Sequence, residues 1–243
     1  MGLMNYLDLT LATPEENLAC DEALLELCDE GQGDELLRLW ESPRHFVVVG
    51  YANKVACEVN VPFCRQNGLP ILRRCSGGGT VLQGRGCLSY ALILRIDESG
   101  PLRSISSTNQ FVLERHRVVL EGLLHAPVRI RGQTDLALGE VKFSGNSQRR
   151  KRRALLFHGA FLLDLDLALV EGALLMPSKE PDYRANRSHS EFLVNLSVPV
   201  GEVALALRSG WQAGASPSDI PLERIRKLAL EKYAAPEWTW RFK

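Results

Sequence analysis

Four short apolar segments follow one another between residues 127 and 163, with only a few polar residues between them. They are Pro127 to Arg131, Asp135 to Leu138, Glu140 to Gln148 and Ala154 to Leu163. Connections this short can join antiparallel strands, whereas parallel strands need a crossover of about a dozen residues or more. The pattern therefore predicts antiparallel hairpins, with Gly139-Glu140 and the basic residues 149–153 as connections.

Five further segments have the length and composition of strands, and Ser42-Pro43-Arg44 is expected to form a turn between the first two. These segments are Leu36 to Trp40, Phe46 to Gly50, Pro70 to Arg74, Thr80 to Gln83 and Cys87 to Ile96. Glycine-rich loops at 76–79 and 84–86 separate the last three.

Thr13-Pro14-Glu15-Glu16 is typical of a helix start, with threonine as the cap and proline in the first turn. The longest helical pattern, Ser104 to Leu124, is expected to cover one face of the sheet. The other predicted helices are residues 14–27, Val61 to Gln66, Asp166 to Leu175, Glu202 to Trp211 and Leu222 to Tyr233, with 177–187 irregular. We therefore predict an α+β fold, a mostly antiparallel sheet packed by helices, with residues 1–243 forming a single domain.

The 243 residues carry equal numbers of basic and acidic side chains, 29 of each, so charge gives no reason to expect a nucleic-acid partner. No apolar stretch reaches the roughly 18 residues of a membrane helix, and no signal peptide is apparent. We expect no membrane association and a cytoplasmic location. The six cysteines lack CxxC spacing and are interpreted as reduced, mostly buried thiols.

The first segment with chemical potential is Arg73-Arg74-Cys75-Ser76-Gly77-Gly78-Gly79-Thr80. Glycines let backbone N–H groups approach a ligand closely, and arginine pairs with carboxylate or phosphate oxygens. The segment is neither a P-loop nor a dinucleotide-binding fingerprint. It forms either an anion-binding loop or a plain tight turn.

Two further segments carry ionisable residues within predicted strands. Lys142, seven residues after Asp135, could present its cation to an anionic substrate, or it could point to solvent on a polar strand face. His158 lies among apolar residues and could be a ligand-binding side chain or a satisfied core residue.

Together and in this order, the three segments resemble the lipoate-protein ligase branch of the superfamily that contains biotin and lipoate ligases and octanoyltransferases. Members carry Arg-Arg-x-Ser-Gly-Gly-Gly, Asn-Asp-Leu, Lys-x-Ser-Gly-x-Ala and His-Gly-Thr-Leu-Leu. Near matches stand here at 73–79, 134–136, 142–147 and 158–163. The resemblance covers roughly residues 5 to 195 and implies the catalytic-domain fold of the biotin/lipoate protein ligases.

The resemblance implies that ATP converts lipoate or octanoate to an acyl-adenylate, which then acylates a lysine of a lipoyl carrier protein. Lys142 would be the catalytic cation, and Asp135 would bind Mg²⁺, orient Lys142 or serve a structural role. The residues that would line the substrate and nucleotide site are Arg74, Ser76, Gly77, Gly78, Gly79, Thr80, Asp135, Ser144, Gly145, His158 and Gly159. Trp40, Val81 and Phe143 would be acyl-channel walls or core residues. The basic run 149–153 would dock an acidic carrier, lie near phosphates or form a solvated turn.

The sequence also departs from the family pattern. Many ligases have a histidine where this chain has Gln83, an asparagine where it has Cys87 and a further histidine where it has Phe157. The roles of those ligase residues are therefore not assigned to these three positions. Residues 196–243 are too few to match the ligases' additional C-terminal domain, so an accessory subunit could be required.

An octanoyl or lipoyl transferase using a cysteine thioester without ATP, with Cys87 as nucleophile, is one alternative. A non-catalytic module that binds an acylated carrier or a partner ligase is another.

Overall fold

The computed structural model describes residues 4–217 and 219–242 and contains eleven strands in that part of the chain. The strands are β1 (Met4–Asp8), β2 (Leu36–Trp40), β3 (Phe46–Val49), β4 (Ile71–Arg73), β5 (Val81–Gln83), β6 (Cys87–Arg95), β7 (Val128–Arg131), β8 (Asp135–Leu138), β9 (Val141–Arg150), β10 (Ala154–Leu162) and β11 (Ala213–Ala215). Eight form one sheet in the order β11-β1-β2-β6-β10-β9-β8-β7. The other three form a smaller sheet in the order β4-β3-β5.

Nine α-helices lie in the described part of the chain. They are α1 (Pro14–Glu30), α2 (Val55–Glu58), α3 (Val61–Gln66), α4 (Ile105–Leu124), α5 (Leu167–Ala173), α6 (His189–Phe192), α7 (Val200–Trp211), α8 (Leu222–Leu228) and α9 (Pro236–Thr239). Helix α8 continues as a π-helical turn, Ala229–Tyr233, and Asp182–Arg184 form a 3₁₀ turn. The predicted cap of α1 is confirmed, because Thr13 and Glu16 form a reciprocal capping box.

The prediction of an α+β fold with a mostly antiparallel sheet is confirmed, and the hairpins β7-β8-β9-β10 pair in succession. Three pairings are parallel: β1 with β2, β1 with β11, and β3 with β4. Strand β1 was not anticipated from the sequence. The two strands predicted on either side of Ser42-Pro43-Arg44 are present as β2 and β3, but they lie in different sheets.

The large sheet separates two layers of apolar packing. On one face, α1 packs over Trp40, Ala91 and Leu156, and this layer continues into the small sheet through Phe46 and Val48. On the other face, α4 and α7 cover the side chains that alternate with the first set, among them Leu37, Tyr90, Phe157 and Phe161. A third cluster joins the small sheet to α5. Strand β10 therefore presents His158 and Ala160 toward the α1 side and its aromatic residues toward α4.

No helix in the described ranges has both the length and the apolar character needed to cross a membrane.

Candidate active site

A β-bulge in β9 determines where Lys142 points. Leu136 pairs with Ser144 but the next residue, Ala137, pairs with Lys142, so Phe143 is an extra residue in β9. Without this insertion, Lys142 and Gly145 would face opposite sides of the sheet. The bulge puts Lys142 on the same face as Asp135 and sends Phe143 into the α4 layer, where it is fully buried.

The ammonium group of Lys142 lies at the wall of a large cavity rather than in bulk solvent. Its side chain is 21% exposed, and Nζ is 2.8 Å from Oδ1 of Asp135. A Cβ atom on Gly145 would come within 2.7 Å of Nζ, so a glycine leaves the space in which the ammonium lies. The other carboxylate oxygen, Oδ2, accepts a 2.8 Å hydrogen bond from the Tyr183 hydroxyl, and burial together with Asp135 raises the pKa of Tyr183. Of the two sequence interpretations, the structure therefore shows the inward-facing cation.

The glycine loop follows β4 and forms another part of the cavity wall through Gly78, Gly79 and Thr80. Within the described ranges, the backbone N–H groups of Gly77, Gly78 and Gly79 have no hydrogen-bond partner, although Asn53 donates to the Gly78 carbonyl. Gly50 must also be a glycine, because a Cβ there would come within 2.0 Å of the Gly78 oxygen. Three successive N–H groups without partners suit an anion.

The two arginines before this loop donate mainly to backbone carbonyl groups. Arg74 donates to the carbonyl oxygens of Val48, Gly77 and Gly79 and to the Ser76 hydroxyl. Burial lowers the pKa of Arg74 to about 10, so it still carries its charge at neutral pH. Arg74 borders the cavity, but its contacts hold the loop in shape, a role that sequence reasoning did not assign.

His158 ties the glycine loop to β10. Its Nε2 lies 2.5 Å from the Ser76 hydroxyl oxygen, which also receives the Arg74 Nε–H. The other ring nitrogen of His158, Nδ1, lies 3.7 Å from Asp21 Oδ2. Arg38 donates to the other oxygen of Asp21. Ser76 and His158 are thus brought together, and Asp21 is an addition that the sequence motifs did not reveal.

The remaining predicted site residues, Ser144 and Gly159, also border the cavity, although they lie on the other face of the sheet from Gly145 and His158. Ser144 is buried and donates to Asn146 Oδ1, which also accepts from the Tyr90 hydroxyl. Gly159 faces that amide, and a Cβ there would come within 2.0 Å of it. Asn146 in turn donates to the Thr134 carbonyl and so fixes the loop before Asp135. Asn146, Tyr90 and Tyr183 were not predicted to contribute, because nothing in their spacing distinguishes them from core or loop residues.

A row of cross-strand neighbours, with the small residues Ser89, Ala160 and Gly145 at its centre, crosses the sheet beneath the cavity. Strand register pairs Trp40 with Ser89, Ser89 with Ala160, Ala160 with Gly145, and Gly145 with Asp135. All five line one cavity of about 1220 Å³, whose walls also include Val48, Val81 and the segment from Pro177 to Arg184. Trp40 and Val81 therefore occupy the predicted wall positions, whereas Phe143 as a wall is wrong because it packs in the core on the other face.

Cys87 is an unfavourable nucleophile. It borders the cavity, but burial, with a further contribution from Glu41, raises the pKa of its thiol to about 12. A reactive cysteine needs the opposite shift. Among the six cysteines, all of which lie in the described part, Cys57 is the exposed one, and it also borders the cavity.

The residues present do not fit a protein-held Mg²⁺. Asp135 accepts from Lys142 and Tyr183 through both of its oxygens. No group of three or more histidine, cysteine or carboxylate side chains suitable for a metal occurs in residues 4–217 and 219–242. Asp135 is therefore interpreted as the residue that positions Lys142.

The basic run is divided among several structural roles. Arg149 and Arg150 belong to β9, so the prediction that they form the connection is wrong. Arg150 donates to the Leu102 carbonyl, and Lys151 pairs with Glu26. Arg149 lies over the ring of Tyr51, whose N–H donates to Ser76 of the glycine loop.

Comparison with known proteins agrees with this geometry. The family model of the lipoyl protein ligase A/B catalytic domain matches residues 13–204. The chain belongs to this family. The resemblance proposed from the three motifs is thereby confirmed, as is the prediction of an enzyme, since its relatives bear the names of enzymes.

The relatives carry two kinds of name. The candidate lipoate-protein ligase A of Aeropyrum pernix is 35% identical over 66% of this chain, which spans 58% of that protein. Octanoyltransferase LipM of Lysinibacillus sphaericus is 28% identical over 97% of this chain and 98% of its own. Lipoate-protein ligase A subunit 1 of Thermoplasma acidophilum is 27% identical over 95% of this chain and 94% of its own length.

A solved lipoate-protein ligase A bound with ATP superposes with a TM-score of 0.82 at 25% identity, covering 98% of this chain and 99% of that one. The lipoate-ligase fold predicted from the motifs is confirmed by this similarity.

Proposed function

We propose that the protein is a lipoate-protein ligase that uses ATP to form lipoyl-AMP and then transfers the lipoyl group to a lysine of a carrier protein. The observation that carries the proposal is the position of the Lys142 ammonium group. It lies on a cavity wall, over Gly145, in the same cavity as the glycine loop. A cation in that place pairs with the carboxylate of an acid and with the phosphate of its adenylate.

The rest of the cavity supplies what the two substrates need. The N–H groups at residues 77–79, which have no partner in the part of the chain that the structure describes, suit the negatively charged phosphates of ATP. The row from Gly145 to Trp40 spans three strand spacings, about 14 Å. An extended eight-carbon acid is about 9 Å long, so it fits along this row with its carboxylate at Lys142. Mg²⁺ enters the proposal as the counter-ion of the nucleotide, held by phosphate oxygens.

The partners in this proposal are a lipoyl carrier protein and, where one is required, an accessory ligase subunit. The similarity to lipoate-protein ligase A subunit 1 of Thermoplasma acidophilum supports the expectation of an accessory subunit. The use of ATP suits a cytoplasmic location. We also propose that residues 1–243 act as one catalytic domain, because Arg73 in β4 donates to the carbonyl groups of Trp238 and Thr239 near the chain's C-terminal end.

The test is the mass of a purified lipoyl carrier domain after incubation with the protein, lipoate and Mg²⁺, with and without ATP. We expect a lipoyl mass increase only with ATP, and none with Lys142→Met. Lys227→Met is the matched control, since Lys227 is exposed on α8. Modification by Lys142→Met at the parent rate would contradict the proposal.

An acyltransferase that needs no ATP is the second candidate, supported by the similarity to octanoyltransferase LipM. In that case an octanoyl carrier protein would donate its acyl group without ATP, and loss of transfer in Cys57→Ser or Cys87→Ser would identify the thiol. A protein that modifies no carrier under either condition would be a binding module.

A further inference from the structure

Helices α8 and α9 bring the last part of the described chain back to the strand that precedes the glycine loop. The first half of this segment is fixed to α1, because Ile225 and Tyr233 are buried in the α1 layer. The Tyr233 hydroxyl and the Lys232 ammonium group also donate to the buried carboxylate of Glu22, over 2.8 and 2.6 Å. Helix α9 therefore follows a rigid support.

The far end of the segment is joined to β4 by a reciprocal contact between Trp238 and Arg73. Trp238 Nε1 donates to the Arg73 carbonyl over 2.8 Å. In return, the guanidinium group of Arg73 donates to the carbonyl oxygens of Trp238 and Thr239, over 3.1 and 2.7 Å. Arg73 is completely buried, so water does not compete for these bonds. The contact holds α9 against the end of the strand that leads into the glycine loop.

The same guanidinium group reaches the segment between β3 and α2. Its Nη1 donates over 2.8 Å to each of the carbonyl oxygens of Gly50, Tyr51 and Asn53. The ring of Tyr51 also lies 5.8 Å from the ring of Trp238, centroid to centroid. A displacement of Trp238 would therefore be transmitted to this segment both through Arg73 and through the Tyr51 ring.

The segment between β3 and α2 in turn fixes peptide planes of the glycine loop. The Tyr51 N–H donates to the Ser76 carbonyl over 2.8 Å, and the Asn53 amide donates to the Gly78 carbonyl over 3.1 Å. A carbonyl group and the N–H of the following residue belong to one rigid planar unit and point in opposite directions. Fixing these two carbonyl groups therefore orients the N–H of the glycine that follows each of them.

We propose that Trp238 is a positioning residue for the nucleotide: acting through Arg73 and Tyr51, it sets the orientation of the glycine-loop N–H groups that receive the phosphates of ATP. This inference rests on the proposed function for the identity of the anion. Three successive glycines have more backbone freedom than other residues, and a loop that is not held must lose that freedom when a ligand binds. A loop held in advance through α9 binds the phosphates without this loss.

The test uses Trp238→Phe, which removes the indole N–H and keeps an aromatic ring beside Tyr51. Steady-state carrier modification by the whole protein gives kcat and the KM values for ATP and for lipoate. We expect the KM for ATP to rise about fivefold, as the loss of one buried hydrogen bond implies. At saturating ATP, kcat and the KM for lipoate should stay within about twofold of the parent, because the variant changes nucleotide binding alone.

Trp211→Phe is the matched control. The Trp211 indole N–H donates a bond of similar length, 2.9 Å, to His116 Nε2, but in the α4 layer on the other face of the large sheet. Loss of that bond lowers stability without reaching the glycine loop, so all three kinetic constants should stay within about twofold of the parent.

Hydrogen exchange without nucleotide measures the loop itself. The Tyr51 N–H is protected by its bond to Ser76, so a peptide that contains Tyr51 should exchange about fivefold faster in Trp238→Phe and at the parent rate in Trp211→Phe. Tyr51→Leu, which removes the ring contact and leaves the α9 hydrogen bonds in place, is a second variant. It should raise the KM for ATP about threefold.

A KM for ATP that Trp238→Phe leaves unchanged would overturn the proposal. An equal rise in Trp211→Phe would also overturn it, because the effect would then be a general one of stability. If Trp238→Phe does not fold, Tyr51→Leu decides by the same criterion. A parent that modifies no carrier with ATP would mean that the proposed function has failed, and the exchange rates would still decide whether Trp238 positions the loop.

Discussion

The two cationic motifs of the chain are used in different ways. Arg73 and Arg74 are buried, and Arg73 donates six hydrogen bonds to the carbonyl groups of Gly50, Tyr51, Asn53, Trp238 and Thr239. Lys142 has one carboxylate partner and borders an open cavity. A fully satisfied cation fixes backbone segments, whereas a partly satisfied one can still bind a substrate. Residues of the same charge in matched motifs therefore divide into structural and chemical roles.

Replacement of the lysine is the strongest test of this contrast. Lys142→Met should lower the ligation rate about 100- to 1000-fold, because one preorganised charge facing developing negative charge contributes that much. The free energy of unfolding should fall by only about 1 kcal/mol, because Asp135 loses its ion-pair partner but keeps the Tyr183 hydrogen bond and borders the cavity. Carrier mass and urea denaturation measure the two quantities. A large loss of stability would mean that Lys142 has a structural role like that of Arg73 and Arg74.

Replacement of Arg73 should show the opposite pattern. Arg73→Lys keeps the charge but cannot reach carbonyl groups on both sides, so several buried acceptors lose their donors. We expect a loss of about 3 kcal/mol in the free energy of unfolding, with α9 released first. At a temperature where the variant is folded, the rate should remain within about threefold of the parent. Unchanged stability together with lost activity would contradict the structural role.

The sequence predicted most of the strands for a physical reason, whereas the inward position of the Lys142 cation was expected only from the resemblance to the family. Period-2 apolar patterns and short connections constrain hairpins locally, so β7 to β10 followed directly. The separation of β2 from β3 into two sheets depends on tertiary packing, which no local pattern records. The same limit applies to the site: the glycine loop and Lys142 carry recognisable motifs, whereas Asp21, Ser89 and Tyr183 reach the cavity only through register and chain folding.

Replacement of Asp135 tests whether this carboxylate positions Lys142. Asp135→Asn keeps the shape and an acceptor for Tyr183 but removes the charge opposite Nζ, so Lys142 should be less well fixed. We expect about a tenfold lower ligation rate, the scale of a modest misplacement of a catalytic group. Titration with Mg²⁺ provides the control. If Asp135 instead held the metal, the variant would need much more Mg²⁺ and would recover at high concentration.

The distinction between buried and cavity-facing groups extends to the thiols and gives the smallest expected effect. Burial raises the pKa of Cys20, Cys75 and Cys87 to about 12, so at pH 8 these thiols stay protonated. Because the thiolate is the reactive form, iodoacetamide should modify exposed Cys57 first, and peptide mass mapping would show it. Loss of carrier modification that follows Cys87 alkylation at pH 8 would mean that its thiolate is accessible, and would favour the cysteine-dependent transferase over the ligase.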